Sequence, residues 1–315
     1  MAAVTDIAYR RLGSSGLLVS EIGIGCNNFG RRIDDQRAED VVHTALDLGI
    51  NLFDTADVYG QASHNSEEVL GAALGKRRDE AVIATKFGGG GPASAREERH
   101  GRRYIRTAVE NSLRKLGTDR IDLYQIHVPS GHTPIEETMA ALDDLVTAGK
   151  VLYLGHSNFS GWQIADAAWI ARTRNLTPFI SAQNRYSLIN RDVENDVLPA
   201  CERFGLGLLP YFPLESGLLT GKYRRGEQAP AGTRLAGAGF DAWFDAAPWD
   251  TIERLERYAA EQGVTPLDVA IGGLLTQPAV TSVIAGATTG EQVRANAAAA
   301  AWRPEDQEKL RRALG

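Results

Sequence analysis

From residue 22 onward, short apolar runs rich in β-branched residues alternate with longer segments whose apolar residues recur at intervals of three and four. That alternation is what parallel strands joined by crossover helices look like in one dimension. The strand-like runs fall at 22–26, 50–54, 81–86, 121–127, 151–157, 179–183, 206–211 and 281–285, eight in all. Helical segments are predicted at 35–48, 66–75, 102–116, 134–148, 160–174 and 191–204, with apolar spacing as in Val41, Val42, Ala45 and Leu46. Thr133 before Pro134 predicts an N-cap with proline at the first helical position, and Gly49, Gly117 and Gly149 each stand where a helix should stop. Eight strands with outer helices predict an α/β fold of the (β/α)8 TIM-barrel type rather than a doubly wound sheet. No Gly-x-Gly-x-x-Gly turn follows the first strand, which agrees. A length of 315 residues suits one such barrel, so residues 1–315 are read as a single domain.

Two stretches break the pattern. Residues 9–20, "YRRLGSSGLLVS", place turn residues between two short runs and predict a β-hairpin ahead of the first barrel strand, suited to plugging the barrel floor. Residues 212–250, after the seventh strand, are rich in Gly, Pro and Arg and too long for an ordinary connection. Barrel active sites are built from loops at the C-terminal strand ends, so this long loop is read as a lid.

Charge and cysteine content narrow the partners. The formal net charge of −6 and the lack of a long Lys/Arg run argue against nucleic acid. Cys26 and Cys201 have no metal-ligand spacing, so no metal is expected. No signal-like segment precedes the first Tyr-Arg-Arg and no run reaches the ~20 apolar residues of a membrane span, so a cytoplasmic location without membrane partners is expected.

Polar residues recur where the predicted strands end: Asp54, Lys86, His127, Ser157 with Asn158, and Gln183, with Tyr59 in the loop five residues after Asp54. Each alone has an ordinary structural reading: a capping Asp, a Tyr covering apolar surface, a hydrogen-bonded core His, a solvated Lys. Together they converge on one face, and a buried Lys needs a partner that Asp54 supplies. A nearby ammonium is expected to pull the Tyr59 phenol below its usual value near ~10, giving a general acid for a carbonyl becoming an alcohol. Asp54 would hold Lys86, and His127 would bond the substrate oxygen or relay its proton. Such a site needs a hydride source. Asp57 is read as a loop-fixing residue.

In these contexts the chain resembles the aldo-keto reductases along nearly its whole length. The likeness is carried by "RLGSSGLLVSEIGIGCNNFG", "GINLFDTADVYG", "VIATKFG", "RIDLYQIH", "LGHSNFS" with "AQNRYSL", and "PYFPLESGLLTGKY" with "IAGATTGEQVRAN". The resemblance implies a catalytic tetrad of Asp54, Tyr59, Lys86 and His127, and NADP(H) lying across the barrel mouth. It implies that Ser157, Asn158 and Gln183 hold the nicotinamide carboxamide while Tyr211 stacks on the ring. Pro213, Leu214, Ser216, Lys222 and Arg234 would close over the pyrophosphate, the last two as phosphate partners or, alternatively, as solvated loop surface. Thr288, Gln292 and Asn296 would meet the adenine end, and Gly25, Asn27 and Gly286 complete the cofactor positions.

The chain departs from the family pattern in several places. Better-known members carry a Lys at the place of Gly286 and an Arg at the place of Gln292; without them the preference for NADP(H) is weakened and NAD(H) stays open. Thr288 and Arg294 are the candidate replacements. After Asn296 the sequence is read as a helix and a short tail, so the long C-terminal loop of steroid-handling relatives is not expected, which predicts a wider opening lined by Asn27, Phe29, Tyr59, His127 and the aromatic "FDAWFDAAPW" of the lid, unless those aromatics only pack the loop. "FGGGG", 87–91, lacks the Lys-Ser/Thr of a phosphate cradle and is read as a flexible loop beside the site. The expected function is reduction of a small aldehyde or ketone. One alternative is the channel β-subunit branch of the same family, which typically has Asn in place of the tetrad His; a weaker one is a cofactor-free isomerase. Substrate, direction and oligomeric state stay open.

Overall fold

A computed structural model describes residues 7–61, 63–90, 98–236 and 239–315. Eight parallel strands alternate with helices. In chain order they are β1 (Ile22–Gly25), α1 (Asp35–Asp47), β2 (Leu52–Asp54), α2 (Ser66–Leu74), β3 (Val82–Phe87), α3 (Arg102–Leu116), β4 (Ile121–Ile126), α4 (Ile135–Thr147), β5 (Val151–Ser157), α5 (Gly161–Arg174), β6 (Phe179–Gln183), α6 (Val197–Phe204), β7 (Gly207–Leu208), α7 (Asp241–Asp245), α8 (Trp249–Gln262), α9 (Pro266–Leu274), β8 (Val283–Gly286), α10 (Gly290–Ala299) and α11 (Gln307–Leu314). β1 to β7 pair in sequence order and β8 pairs with β1. Backbone bonds from Leu208 N to Ala279 O (2.7 Å), Thr281 N to Leu208 O (2.9 Å) and Ile284 N to Pro210 O (3.0 Å) join β7 to the β8 segment and close the (β/α)8 barrel.

Local chemistry explains these elements. Every residue of β4 is buried, as a parallel strand covered on both faces requires. α1 is capped by Asp34, whose carboxylate accepts the Arg37 N–H, and it buries a stripe of Ala38, Val41, Val42, Ala45 and Leu46 against the sheet. Gly49, Gly117 and Gly149 adopt positive φ of 83°, 63° and 73° after α1, α3 and α4, the conformation that turns the chain into the next strand.

The hairpin forms as expected: Tyr9–Arg11 pairs antiparallel with Leu18–Ser20. Its Leu12 and Val19 are fully buried in one cluster with Leu52, Ala84, Leu123, Leu209 and Ile284, which point into the barrel. The plug is therefore an apolar layer. Side chains in a strand alternate, so the residue two positions on faces the same way. Asp54, Lys86 and Gln125 follow Leu52, Ala84 and Leu123 by two, and form a polar layer above the apolar one.

Several boundaries differ from those read in the sequence. The seventh ladder is only Gly207–Leu208, although single backbone bonds to the β6 side continue past it, from Leu209 N to Ala182 O (2.8 Å) and from Tyr211 N to Asn184 O (3.1 Å). β1 ends at Gly25, and β8 is displaced to Val283–Gly286. Pro134 itself holds the N-cap position of α4, while Thr133 N is tied to Ser130 Oγ at 2.8 Å in the preceding turn. The segment 191–204 splits into a 3-10 turn, Asp192–Glu194, and α6. Asp196 at the break gives its carboxylate to Gly161 N (2.7 Å) at the start of α5. α8 and α9 were not anticipated, although Thr265, Pro266 and Asp268 form a capping box with proline at the first turn.

Candidate active site

The polar layer holds one fully buried ammonium. Lys86 Nζ donates to Asp54 Oδ1 (2.7 Å), Asp54 Oδ2 (2.8 Å) and Thr55 O (2.9 Å), and lies 3.5 Å from Tyr59 Oη. The same ammonium sits 4.9 Å from the Tyr59 ring centre. Asp54 also accepts from Gln183 Nε2 (2.7 Å) and Gln125 Nε2 (3.4 Å), so its oxygens are enclosed by donors. The β2–β3 register places Asp54 opposite Ala84, one step below Lys86 on the inward face, which accounts for the short contact. Burial pulls Lys86 toward neutrality, but Asp54 and then Tyr59 outweigh it and hold the ammonium above an ordinary lysine.

Tyr59 differs from expectation. Burial raises its phenol above the ordinary value; Lys86 lowers it, and the negative charge of Asp54 raises it again. The ammonium is already neutralised by Asp54, so its net pull on the phenol is small and Tyr59 is protonated throughout the neutral range. His127 stands edge-on to Tyr59, ring centres 5.7 Å apart at 85°. Burial first, and Lys86 second, depress it to about 4, so the imidazole is neutral. Its Nδ1 is buried without a hydrogen-bond partner among the described residues.

The glycines after β3 make room for that ring. A Cβ at Gly89 would lie 2.4 Å from His127 Nδ1, and Gly88 and Gly90 have φ of +82° and +89°. Gly89 is thus a close approach to the site, while Gly91 lies outside the described residues. Asp57 fixes the Tyr59 loop as expected: its N–H donates to Lys86 O (3.1 Å) and its carbonyl accepts Asn65 Nδ2 (2.9 Å). Burial, and then repulsion from Glu67, push its carboxyl up to about 7.

Asp54, Tyr59 and His127 line one end of a cavity of about 810 Å³ that runs along the barrel mouth, with Lys86 beneath its floor. Ser157, Asn158, Gln183 and Tyr211 line the adjoining wall. Their polar atoms are joined: Ser157 Oγ donates to Gln183 O (2.7 Å), Asn158 Nδ2 donates to His127 O (2.9 Å), and Tyr211 Oη donates to Asn158 Oδ1 (2.8 Å). Asn158 adopts a φ of 62°, uncommon for a residue with a side chain. Further along lie Pro213, Leu214, Ser216, Lys222 and Arg234, then Gly286, Thr288, Gln292 and Asn296, with Gly25 and Asn27 on the opposite strand end. Every one of the predicted cofactor positions therefore borders the same space.

The long segment after β7 carries strain. Phe212, Glu215 and Ser216 have φ of 53°, 43° and 57°. Arg185 holds this turn by two bonds to the buried Glu215, Nε–Oε1 at 3.1 Å and Nη2–Oε2 at 2.5 Å, and Ser187 adds a third at 3.0 Å. Phe212 and Ser216 line the cavity, and backbone strain of this kind clusters at ligand clamps. The buried Nδ2 of Asn296 also lacks a partner among the described residues and borders the cavity. An elongated ligand with amide, phosphate and heterocyclic parts, such as a nicotinamide dinucleotide, suits these donors.

The lid reading holds for part of its length. Gly232, Thr233 and Arg234 reach the cavity, but Phe240, Trp243, Phe244 and Trp249 of "FDAWFDAAPW" do not. Phe244 packs edge-on against Tyr223 and Trp249, 5.5 and 5.0 Å between ring centres, and these aromatics belong to the core. Phe29 is likewise fully buried and not a pocket wall. Arg294 does not border the cavity, whereas Asn28, Arg32, Arg37, Thr220 and Thr233, unassigned from the sequence, do. The adjacent arginines at 31 and 32, directly after the first strand end, were the available signal. Among the described residues no cluster of His, Cys, Asp and Glu is built to hold a metal, and no helix is long and apolar enough to cross a membrane.

Barrels that gather polar strand-end residues at one end of a long mouth cavity include a class of oxidoreductases, and this chain falls in it. The profile of the Aldo/keto reductase family matches residues 21–313, and the chain belongs to that family, whose members generally use NAD(P)H. It is 36% identical over 299 residues to a probable voltage-gated potassium channel subunit beta of Oryza sativa subsp. japonica, covering 91% of this chain and 89% of the relative. It is equally 36% identical over 302 residues to the uncharacterized oxidoreductase YrpG of Bacillus subtilis (strain 168), with the same coverage. A probable channel subunit beta of Arabidopsis thaliana is 36% identical over 297 residues.

Proposed function

We propose that this chain, as a single barrel domain, reduces a small aldehyde or ketone to the alcohol with NAD(P)H. The observation that carries the reading is the Lys86 ammonium, locked between both Asp54 oxygens and 3.5 Å from Tyr59 Oη, beneath the floor of the mouth cavity that Asp54 and Tyr59 line. A bound reduced nicotinamide supplies the hydride to the carbonyl carbon. Tyr59, kept protonated by burial, donates its proton to the carbonyl oxygen, and Lys86 stabilises the tyrosinate left behind. Asp54 keeps Lys86 charged and aimed. Neutral His127 orients the carbonyl oxygen by a hydrogen bond. Ser157, Asn158 and Gln183 hold the carboxamide beside Tyr211. Lys222 and Arg234, with Pro213, Leu214 and Ser216, take the pyrophosphate. Gly25, Asn27, Gly286, Thr288, Gln292 and Asn296 border the rest of the nucleotide.

Steady-state turnover of activated aldehydes with NADPH and NADH tests this. Tyr59→Phe should lower kcat about 10²–10⁴-fold, as loss of a general acid does. No turnover in the wild type, or an unchanged Tyr59→Phe rate, would remove the proposal.

A second reading, a nucleotide-binding regulator of a membrane partner, is favoured by the 36% identity to relatives named as potassium channel subunits beta. His127, at the position where that branch typically has Asn, weighs toward turnover. Specific retention of the chain on membrane fractions together with negligible turnover would favour the regulator.

A further inference from the structure

Four cations border the mouth cavity: Lys222 and Arg234 on the segment after β7, and Arg32 and Arg37 on the β1–α1 segment. Among the described residues none of the four has a carboxylate within ion-pair distance. Such a group is unexpected in a chain of net charge −6. Among the described residues Asp54 is the one carboxylate lining the cavity, and it is already held by Lys86. Burial first, then Arg32 and Arg31, pull the Arg234 guanidinium below its ordinary value, so Arg234 and Arg32 repel one another across the cavity.

Their placement is fixed by the fold. Arg32 belongs to the turn that follows β1, where its N–H donates to Asn28 O at 2.8 Å. The Asn28 amide lies 3.5 Å from where a Cβ of Gly286 would stand. Arg32 therefore sits in the turn packed against the end of β8. Arg37 lies one turn before Asp40 on α1, and Asp40 Oδ2 accepts the Gly290 N–H (2.9 Å) at the start of α10. That bond brings the Arg37 face of α1 to the α10 N-terminus, beside Thr288 and Gln292. Gln292 spends its carbonyl oxygen on Thr288, at 2.9 Å to N and 3.2 Å to Oγ1, and brings no charge.

Resting on the reading that the cavity holds a nicotinamide dinucleotide, we propose that Arg32 and Arg37 bind the phosphate on the adenosine ribose and make the protein prefer NADP(H) to NAD(H). A dinucleotide without that phosphate has one anionic group, the pyrophosphate, for which Lys222 and Arg234 suffice. The second pair of cations, on another wall near the β8 end, then has nothing to neutralise unless the ribose is phosphorylated. Guanidinium groups suit this task because their planar fork meets two phosphate oxygens at once.

Calorimetric titration with NADP⁺, NAD⁺ and adenosine 2′,5′-bisphosphate tests the assignment, with circular dichroism confirming that each variant folds. The wild type should bind NADP⁺ more tightly than NAD⁺. Arg32→Ala and Arg37→Ala should each weaken NADP⁺ and the bisphosphate about tenfold or more while NAD⁺ changes by less than about twofold. Arg32→Lys and Arg37→Lys should recover part of the loss by restoring charge without the fork. A wild type that binds NAD⁺ as tightly as NADP⁺, or variants that weaken both nucleotides equally or neither, overturns the assignment while leaving the reductase reading intact. A wild type that binds no nucleotide overturns both.

Discussion

At the residue scale the site turns on the neutralised charge of Lys86. A buried ammonium paired with one carboxylate is a dipole more than a cation, so it steadies a developing tyrosinate without stripping the resting phenol of its proton. This is why the sequence reading, which counted Lys86 but not the cancelling effect of Asp54, expected a lowered Tyr59 and the structure has a raised one. Reduction needs a protonated Tyr59, and that form persists through neutrality. His127, at about 4, is neutral there as well. The proposed chemistry therefore gives kcat/KM for carbonyl reduction that is level between about pH 5 and about pH 8. A pH–rate profile checks this, and an ionisation of His127 near 6.5, followed by nuclear magnetic resonance, would contradict the neutral assignment. The gathering of the four residues was legible because Asp54, Lys86 and His127 stand at or beside strand ends and Tyr59 in the loop after one; their protonation states were not, because these depend on burial and on partners remote in sequence.

At the scale of elements, the β5–α5 layer carries a histidine of another kind. His156 is fully buried in β5, stacked on Phe159 at 4.4 Å, with neither ring nitrogen hydrogen-bonded among the described residues. Burial depresses it to about 3. The unfolded chain takes up this proton near 6.5 and the folded chain does not, so stability is fully present above that value and is lost as pH falls toward 3. His156→Phe should make urea midpoints less sensitive to pH between about 6.5 and about 4, and should stabilise the neutral protein by ~1–3 kcal/mol through removal of unpaired buried nitrogens. Equal pH sensitivity in variant and wild type would count against it. Strand and helix positions for most of the barrel were readable from periodicity alone. α8 and α9 lie almost wholly beyond the loop read at 212–250, in a stretch to which no element was assigned, even though α8 buries Ile252, Leu255, Tyr258 and Ala259 at helical spacing. The short β7 could not be read either, since the run 206–211 is strand-like throughout and where its pairing ends depends on neighbours remote in sequence.

At the scale of the molecule, the barrel is divided into a stabilising end and a chemical end. Leu12 of the hairpin packs into the floor layer with Leu52, Ala84 and Leu123, far from the mouth. Leu12→Ala should lower stability by ~2–5 kcal/mol in denaturant titrations while leaving nucleotide KM unchanged. A changed KM at full stability would mean that the two ends are coupled. The arginine pair at 31 and 32 was visible in the sequence, but its place on the cavity wall was not, because that wall is made where the turn after β1 meets the end of β8, its partner strand far along the chain. The sealed floor also sets the traffic of the proposed reaction. Among the described residues apolar side chains fill the barrel below the polar layer, so the reacting groups open outward through the mouth cavity. The proton that Tyr59 gives to each alcohol must be replaced through the opening by which the carbonyl enters and the alcohol leaves. Recharging the acid and discharging the product are thus successive uses of one passage.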